Sequence, residues 1–176
     1  LKKNDVISAE IRSKINNKND FSLSIKTNSR DEKVTNLFIE EPEPFIKNYK
    51  FIKGFTEGKL SYGSIEKNNE TKANLKIFDF KVQDVPVLAK LLTLASLQGI
   101  ADILTGEGIR FNEFEMNYES NQSLTNINEM YAIGPAISIL MEGYIDRNKL
   151  TSLRGTLVPA TTINKTISKI PLLGDI

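Results

Sequence analysis

The chain of 176 residues is long enough for one domain with a real core, and 40% of it is hydrophobic. Its 23 basic and 22 acidic residues are interspersed and leave a net charge of +1, so no broad field draws nucleic acid or anionic membranes, and nucleic acid is not an expected partner. Cys and His are both absent, which excludes disulfides and thiolate metal sites and removes the commonest general base and metal ligand, so no metal site and no cofactor is expected.

Residues 1–83 read as strand after strand. The stretch 6–15 carries Ile7 and Ile11 among polar neighbours, and Asn17, Lys18 and Asp20 supply a polar turn. Phe21, Leu23 and Ile25 then alternate with Ser22, Ser24 and Lys26, the period of a strand with one wet face. Another strand spans 34–40 and is broken by Glu41-Pro-Glu-Pro44, because proline offers no ladder donor. In 45–52 the alternation is interrupted by Asn48-Tyr-Lys50. Gly54 and Gly58 frame a turn into a strand over 59–66, with Leu60, Tyr62 and Ser64 on one side. Lys67-Asn-Asn-Glu70 has the composition of a hairpin turn. Ala73, Leu75 and Ile77 alternate next, and the phase slips so that Phe78, Phe80 and Val82 carry the apolar side onward, which predicts a bulge or a strand buried on both faces.

The one long helical pattern covers about 85–105. Asp84 is the expected N-cap, Pro86 sits where a helix tolerates a missing N–H, and Gly106 is expected to end the last turn in a left-handed conformation. Leu88, Leu91, Leu92 and Ala95 share one face, and Leu94, Leu97, Ala101 and Leu104 follow at steps of three and four. The polar stripe jumps between Lys90 and Thr93 on one side and Gln98, Asp102 and Thr105 on another, which predicts a kink or two shorter helices meeting near Gln98 and Gly99. A membrane span is excluded: the uncharged run from Leu91 to Ala101 falls well short of the roughly 20 apolar residues a bilayer requires. The expected role is an amphipathic helix covering a sheet.

Beyond it, Ile109 and Phe111 lie in one phase and Phe114, Met116 and Tyr118 in the other, so a bulge near Asn112 or Glu113 would restore a common face. Strands follow over 124–133, 136–146 and 150–158, joined by Gly134-Pro135 and by the turn beginning Asp146-Arg-Asn148. Thr162 would cap a short C-terminal helix with Ile163, Ile167 and Ile170, ended by Pro171. The expected fold is mainly β with α (α+β): a curved antiparallel sheet, groove-like, with a helical segment at about 85–105 and a short C-terminal helix, in a single domain over 1–176. The chain begins at Leu1 instead of Met and stops just past Ile170-Pro-Leu-Leu, which reads as a fragment of a longer protein.

Chemistry is harder to find. Glu113 and Glu115 share one strand face and are best read as a solvated surface, not an acid–base pair. Asp146 and Arg147 are turn residues, and neither Gly54, Gly58 and Gly63 nor Gly106-Glu-Gly108 forms a phosphate loop. Tyr62, Tyr118, Tyr131 and Tyr144 read as strand packing, and no catalytic residue is assigned, so the chain is not expected to be an enzyme. The physical alternatives are an ordinary core packed on the helix, or an apolar sheet face left partly open as a slot for acyl tails, worth about 0.8 kcal/mol per buried methylene.

Several short pieces occur in a characteristic order: Phe80-Lys-Val-Gln-Asp-Val-Pro-Val-Leu-Ala-Lys-Leu-Leu92, Ala95-Ser-Leu-Gln-Gly-Ile100, Leu104-Thr-Gly-Glu-Gly-Ile-Arg-Phe111, Ile133-Gly-Pro-Ala-Ile137, Glu142-Gly-Tyr-Ile-Asp146, Arg154-Gly-Thr-Leu-Val-Pro159 and Ile170-Pro-Leu-Leu-Gly174. Together they resemble the C-terminal region of the AsmA-like family of bacterial envelope proteins, in particular its YhdP-type branch. The likeness covers roughly 75–176, with 1–74 placed as preceding strands of the same sheet. It implies a long periplasmic protein anchored in the inner membrane through an N-terminal segment outside this stretch, with an apolar groove similar to that of bridge-like lipid-transfer proteins, implicated in phospholipid transport toward the outer membrane. The expected partners are phospholipid acyl chains, with an envelope protein partner and membrane contact at the ends or outside the fragment. The expected groove lining is Ile109, Phe111, Ile137, Ile139 and Met141, with Leu88, Leu91, Leu92, Leu94 and Leu97 on a helix that either plugs the groove or lies at a membrane interface. The alternative expectation is a periplasmic scaffold or docking module with no lipid cargo, recruiting a partner by strand addition.

Overall fold

The computed structural model describes residues 8–15, 17–46, 54–148 and 150–160. Nine strands form a single antiparallel sheet in sequence order: β1 (Ser8–Ile15), β2 (Asn19–Thr27), β3 (Lys33–Ile39), β4 (Thr56–Lys67), β5 (Glu70–Val82), β6 (Ile109–Ser120), β7 (Leu124–Ile133), β8 (Ile137–Asp146) and β9 (Thr151–Pro159). A short α1 (Glu43–Ile46) lies between β3 and β4, and α2 (Pro86–Leu94) and α3 (Gln98–Thr105) lie between β5 and β6. Because β5 and β6 pair with each other, the helical segment is an insertion in a hairpin and leaves the meander unbroken. The expected mainly β, antiparallel architecture is present as an open, curved sheet whose edges are β1 and β9.

Local chemistry explains the turns. Asn68 and Asn69 both take positive φ, 51° and 64°, as a two-residue hairpin of matching twist demands, and asparagine tolerates that region. Asn28, Asn121 and Asp146 each close a turn through Oδ1, which accepts backbone N–H groups from Arg30 and Glu32, Ser123 and Leu124, and Asn148 and Leu150.

The helical segment divides as the polar stripe predicts. Ser96 turns left-handed at φ 58° and the Leu97 N–H donates to the Leu92 carbonyl at 2.8 Å, a Schellman-type stop made without glycine. Its caps differ from expectation. Asp84 is itself left-handed, at φ 52°, turning the chain out of β5, so Val85 occupies the N-cap with no side-chain bond. Gly106 has φ −90°, and the positive φ falls instead on Gly108, whose N–H reaches the Ile103 carbonyl. Gly58 lies inside β4, where a Cβ would meet the Phe80 Cβ at 2.9 Å, and α1 replaces the start of the unassigned 45–52 stretch because Phe45 and Ile46 donate to the Pro42 carbonyl. The expected C-terminal helix from Thr162 lies outside the described residues.

The two expected phase slips coincide. Register is unbroken from Phe78↔Glu113 to Phe80↔Phe111, yet Ile77, Phe80, Phe111 and Phe114 belong to one hydrophobic cluster. Asp79, at φ 50°, and the unpaired position opposite it turn both strands over together, so neither carries an extra residue. The true register shifts fall in β7 around Asn128, against both β6 and β8.

Candidate functional site

Alternation along each strand and register between strands place the inward side chains in rows running across the sheet. The first row is Phe21, Ile39, Leu60, Ile77, Phe114, Ala132, Ile139 and Leu157. The second is Ile11, Leu23, Leu37, Tyr62, Leu75, Met116, Met130, Met141 and Gly155. The third is Ala9, Ile25, Thr35, Ser64, Ala73, Tyr118, Ile127, Gly143 and Leu153. Eight strand spacings make the second and third rows roughly 38 Å long. No charged residue interrupts them.

Among the described residues, the helices cover only one margin of this face. Leu92, Ala101 and Leu104 are buried with Phe55, Phe80, Val82, Ile109, Phe111, Ala132 and Ile137, and the rings of Phe55, Phe80 and Phe111 stack in sequence at 5.6 and 5.5 Å. Parts of the first row pack against this cluster, as do Leu88 and Leu97. No second-row or third-row residue belongs to it, and α1 adds Ile46 against the cluster and the stacking of Phe45 on Phe21 at 5.9 Å. Most second-row and third-row side chains are half-buried by one another and by their neighbours along the strands.

The opposite face is polar and cross-linked. Glu115 accepts from Tyr131 Oη at 2.6 Å and from Asn74 Nδ2 at 2.6 Å and pairs with Lys76 at 3.0 Å, while Asn74 also donates to Asn117 and Tyr131 also reaches Glu113. The Tyr131 bond, with Lys76 and Asn74, holds the Glu115 carboxyl well below the usual range, at about 2, and the same carboxylate pushes the Tyr131 phenol up. Lys72 pairs with Glu119, and Arg110 makes a two-pronged contact with Glu57 at 2.8 and 2.9 Å. Hollows on this face are lined by Asn36, Asn74, Asn117 and Asn128 or by Glu142, Tyr144 and Arg154. Glu113 and Glu115 thus serve a structural network, and among the described residues no group of three acidic side chains is arranged to hold a metal.

The residues expected to line a groove divide. Ile109, Phe111 and Ile137 are 1%, 2% and 0% exposed beneath the helices, whereas Ile139 and Met141 lie half-buried in the first and second rows. Leu92 is wholly buried, but Leu94 is 73% exposed on the outer side of α2. Sequence reasoning missed the contributions of Leu23, Leu37, Leu75, Met116 and Met130; the signal was the alternation it had already noted in β2, β5 and β6, read together with the pairing. It also left Tyr62 and Tyr118 as packing residues, although both face the apolar side, their hydroxyls 3.3 Å apart. Among the described residues no helix is long and apolar enough to cross a membrane. Searches against family models, curated proteins and solved structures find no match to this chain.

Proposed function

We propose that this chain is a non-enzymatic module of a periplasmic envelope protein whose second-row and third-row strip forms an apolar groove for phospholipid acyl chains moving between inner and outer membrane. The observation that carries the reading is the strip itself: uncharged positions continue across all nine strands, while the helices close over only one margin. A core needs such residues under a cover, and a strip that no described element covers gains about 0.8 kcal/mol for each methylene a guest lays on it. The resemblance of 75–176 to the AsmA-like family supplies the envelope setting, the inner-membrane anchor outside this stretch and the phospholipid cargo. Head groups would remain in water at the strip's margins.

The test is native mass spectrometry of protein purified from bacterial cells, together with uptake of a fluorescent acyl probe. Wild type should carry phospholipid and take up the probe, and Leu75→Glu with Met116→Glu should lose at least tenfold in uptake, because two charges would be buried under the chain. Absence of both lipid and uptake in wild type would end this reading. A second reading is favoured by one observation: β1 is a terminal strand whose inward positions Ala9, Ile11 and Ser13 carry no guarding charge. In that reading the β1 edge recruits an envelope partner by strand addition, and binding would survive the strip charges but be lost on Glu10→Pro.

A further inference from the structure

The apolar strip has one polar island. Tyr62 and Tyr118 reach over β5 from either side, and their hydroxyls lie 3.3 Å apart above the stretch that holds Leu75 and Ala73. Beside them, Ser64 and Thr35 sit opposite each other on β4 and β3 and add two more hydroxyls to the third row. Every first-row side chain and every second-row side chain other than Tyr62 is devoid of hydrogen-bond donors from β2 to β9.

Two phenols carry two protons, and the bond between them uses one. The second O–H is left over, next to apolar surface, where an unmet donor is disfavoured and an incoming acceptor is well rewarded. Burial and the Tyr62 contact push the Tyr118 phenol up to about 12, so this hydroxyl keeps its proton at ordinary pH. An acyl or alkyl chain offers nothing to this donor. An ester carbonyl, which accepts and never donates, is matched to it.

We infer that the Tyr62–Tyr118 pair, flanked by Ser64 and Thr35, is a fixed hydrogen-bonding station for the ester carbonyls of a glycerolipid whose tails lie along the strip. The inference rests on the proposed groove and adds to it: the strip accepts hydrocarbon anywhere, and the hydroxyl pair sets where along it the glycerol backbone stops.

The experiment compares binding of a diester phosphatidylcholine with its diether analogue of equal chain length, both in detergent micelles, to wild type and to the Tyr62→Phe/Tyr118→Phe double variant. Wild type should prefer the diester by about three- to tenfold, the ratio expected of one hydrogen bond, and the double variant should bind both lipids equally and no more tightly than wild type binds the diether. Circular dichroism of the double variant should match wild type, since phenylalanine keeps the ring and its place on the strand. Wild type binding both lipids equally, or a preference that survives in the double variant, would overturn the station while leaving the groove standing. Failure of wild type to bind either lipid would remove the groove and the station together.

Discussion

Glu115 is the side chain on which most of the polar face converges, since both neighbouring strands supply its partners: Asn74 and Lys76 from β5 and Tyr131 from β7, on either side of its own place on β6. Its carboxyl moves from an ordinary 4.5 down to about 2 on folding, chiefly through the Tyr131 bond. The folded state therefore holds its proton less tightly than the unfolded chain, so the stabilisation is complete above about pH 4.5 and drains away as the pH falls toward 2. Glu115→Gln should lower stability at neutral pH by about 1 kcal/mol, allowing for solvent screening of a partly open site. It should also flatten the acid limb, so that wild type and variant converge near pH 2. Urea unfolding at pH 7, 4 and 2.5 checks this, and parallel profiles across that range would contradict it.

The helical pair α2–α3 holds to the sheet most deeply through three buried side chains, with Leu88, Ala89, Leu97 and Ile100 packed around them. Leu104 and Leu92 are each wholly buried, and with Ala101 they make the contact with Phe80, Ile109 and Phe111. Leu104→Ala should cost about 2–5 kcal/mol, the range for a large buried side chain cut to a methyl, whereas Leu94→Ala on the exposed side should change stability by under about 0.5 kcal/mol. Chemical denaturation of the two variants separates them, and equal effects would mean that the helices do not dock as described. The division of this segment was legible in the sequence because the polar stripe from Lys90 and Thr93 does not line up with Gln98 and Asp102. Its caps were not, because Asp84 has two possible uses, cap or left-handed turn, and only the exit angle of β5 decides between them. The inward phases of β5 and β6 were legible too, including their reversal near Ile77 and Asn112. What alternation could not say was how much of the inward face the helices reach, so Ile109, Phe111 and Ile137 looked equivalent to Ile139 and Met141. The hydroxyl pair was hidden for a related reason: Tyr62 and Tyr118 are 56 residues apart and meet only because β5 lies between their strands.

Across the whole sheet, cover and therefore stability are unequal. The buried cluster draws on β5, β6, β7 and β8, with Phe55 just ahead of β4, while among the described residues β2 receives the Phe45 ring and β1 leaves Ile11 half exposed. A strand whose backbone bonds are backed by buried side chains opens only with much of the molecule, whereas one backed by half-exposed neighbours opens locally. Amide hydrogen exchange should therefore be slowest around Phe80, Val82, Ile109 and Phe111, faster through β3, and fastest along β1 and β9, the terminal strands among the described residues. An occupied strip changes the order in a way that an empty one cannot. A guest lying across all nine strands adds cover where the protein has least of it, so phospholipid should slow exchange in β1, β2 and β3 by a larger factor than in β5 and β6. A uniform pattern in the lipid-free protein would mean that the sheet opens as one unit. Protection confined to the helix-covered strands after lipid is added would place the guest somewhere other than the strip.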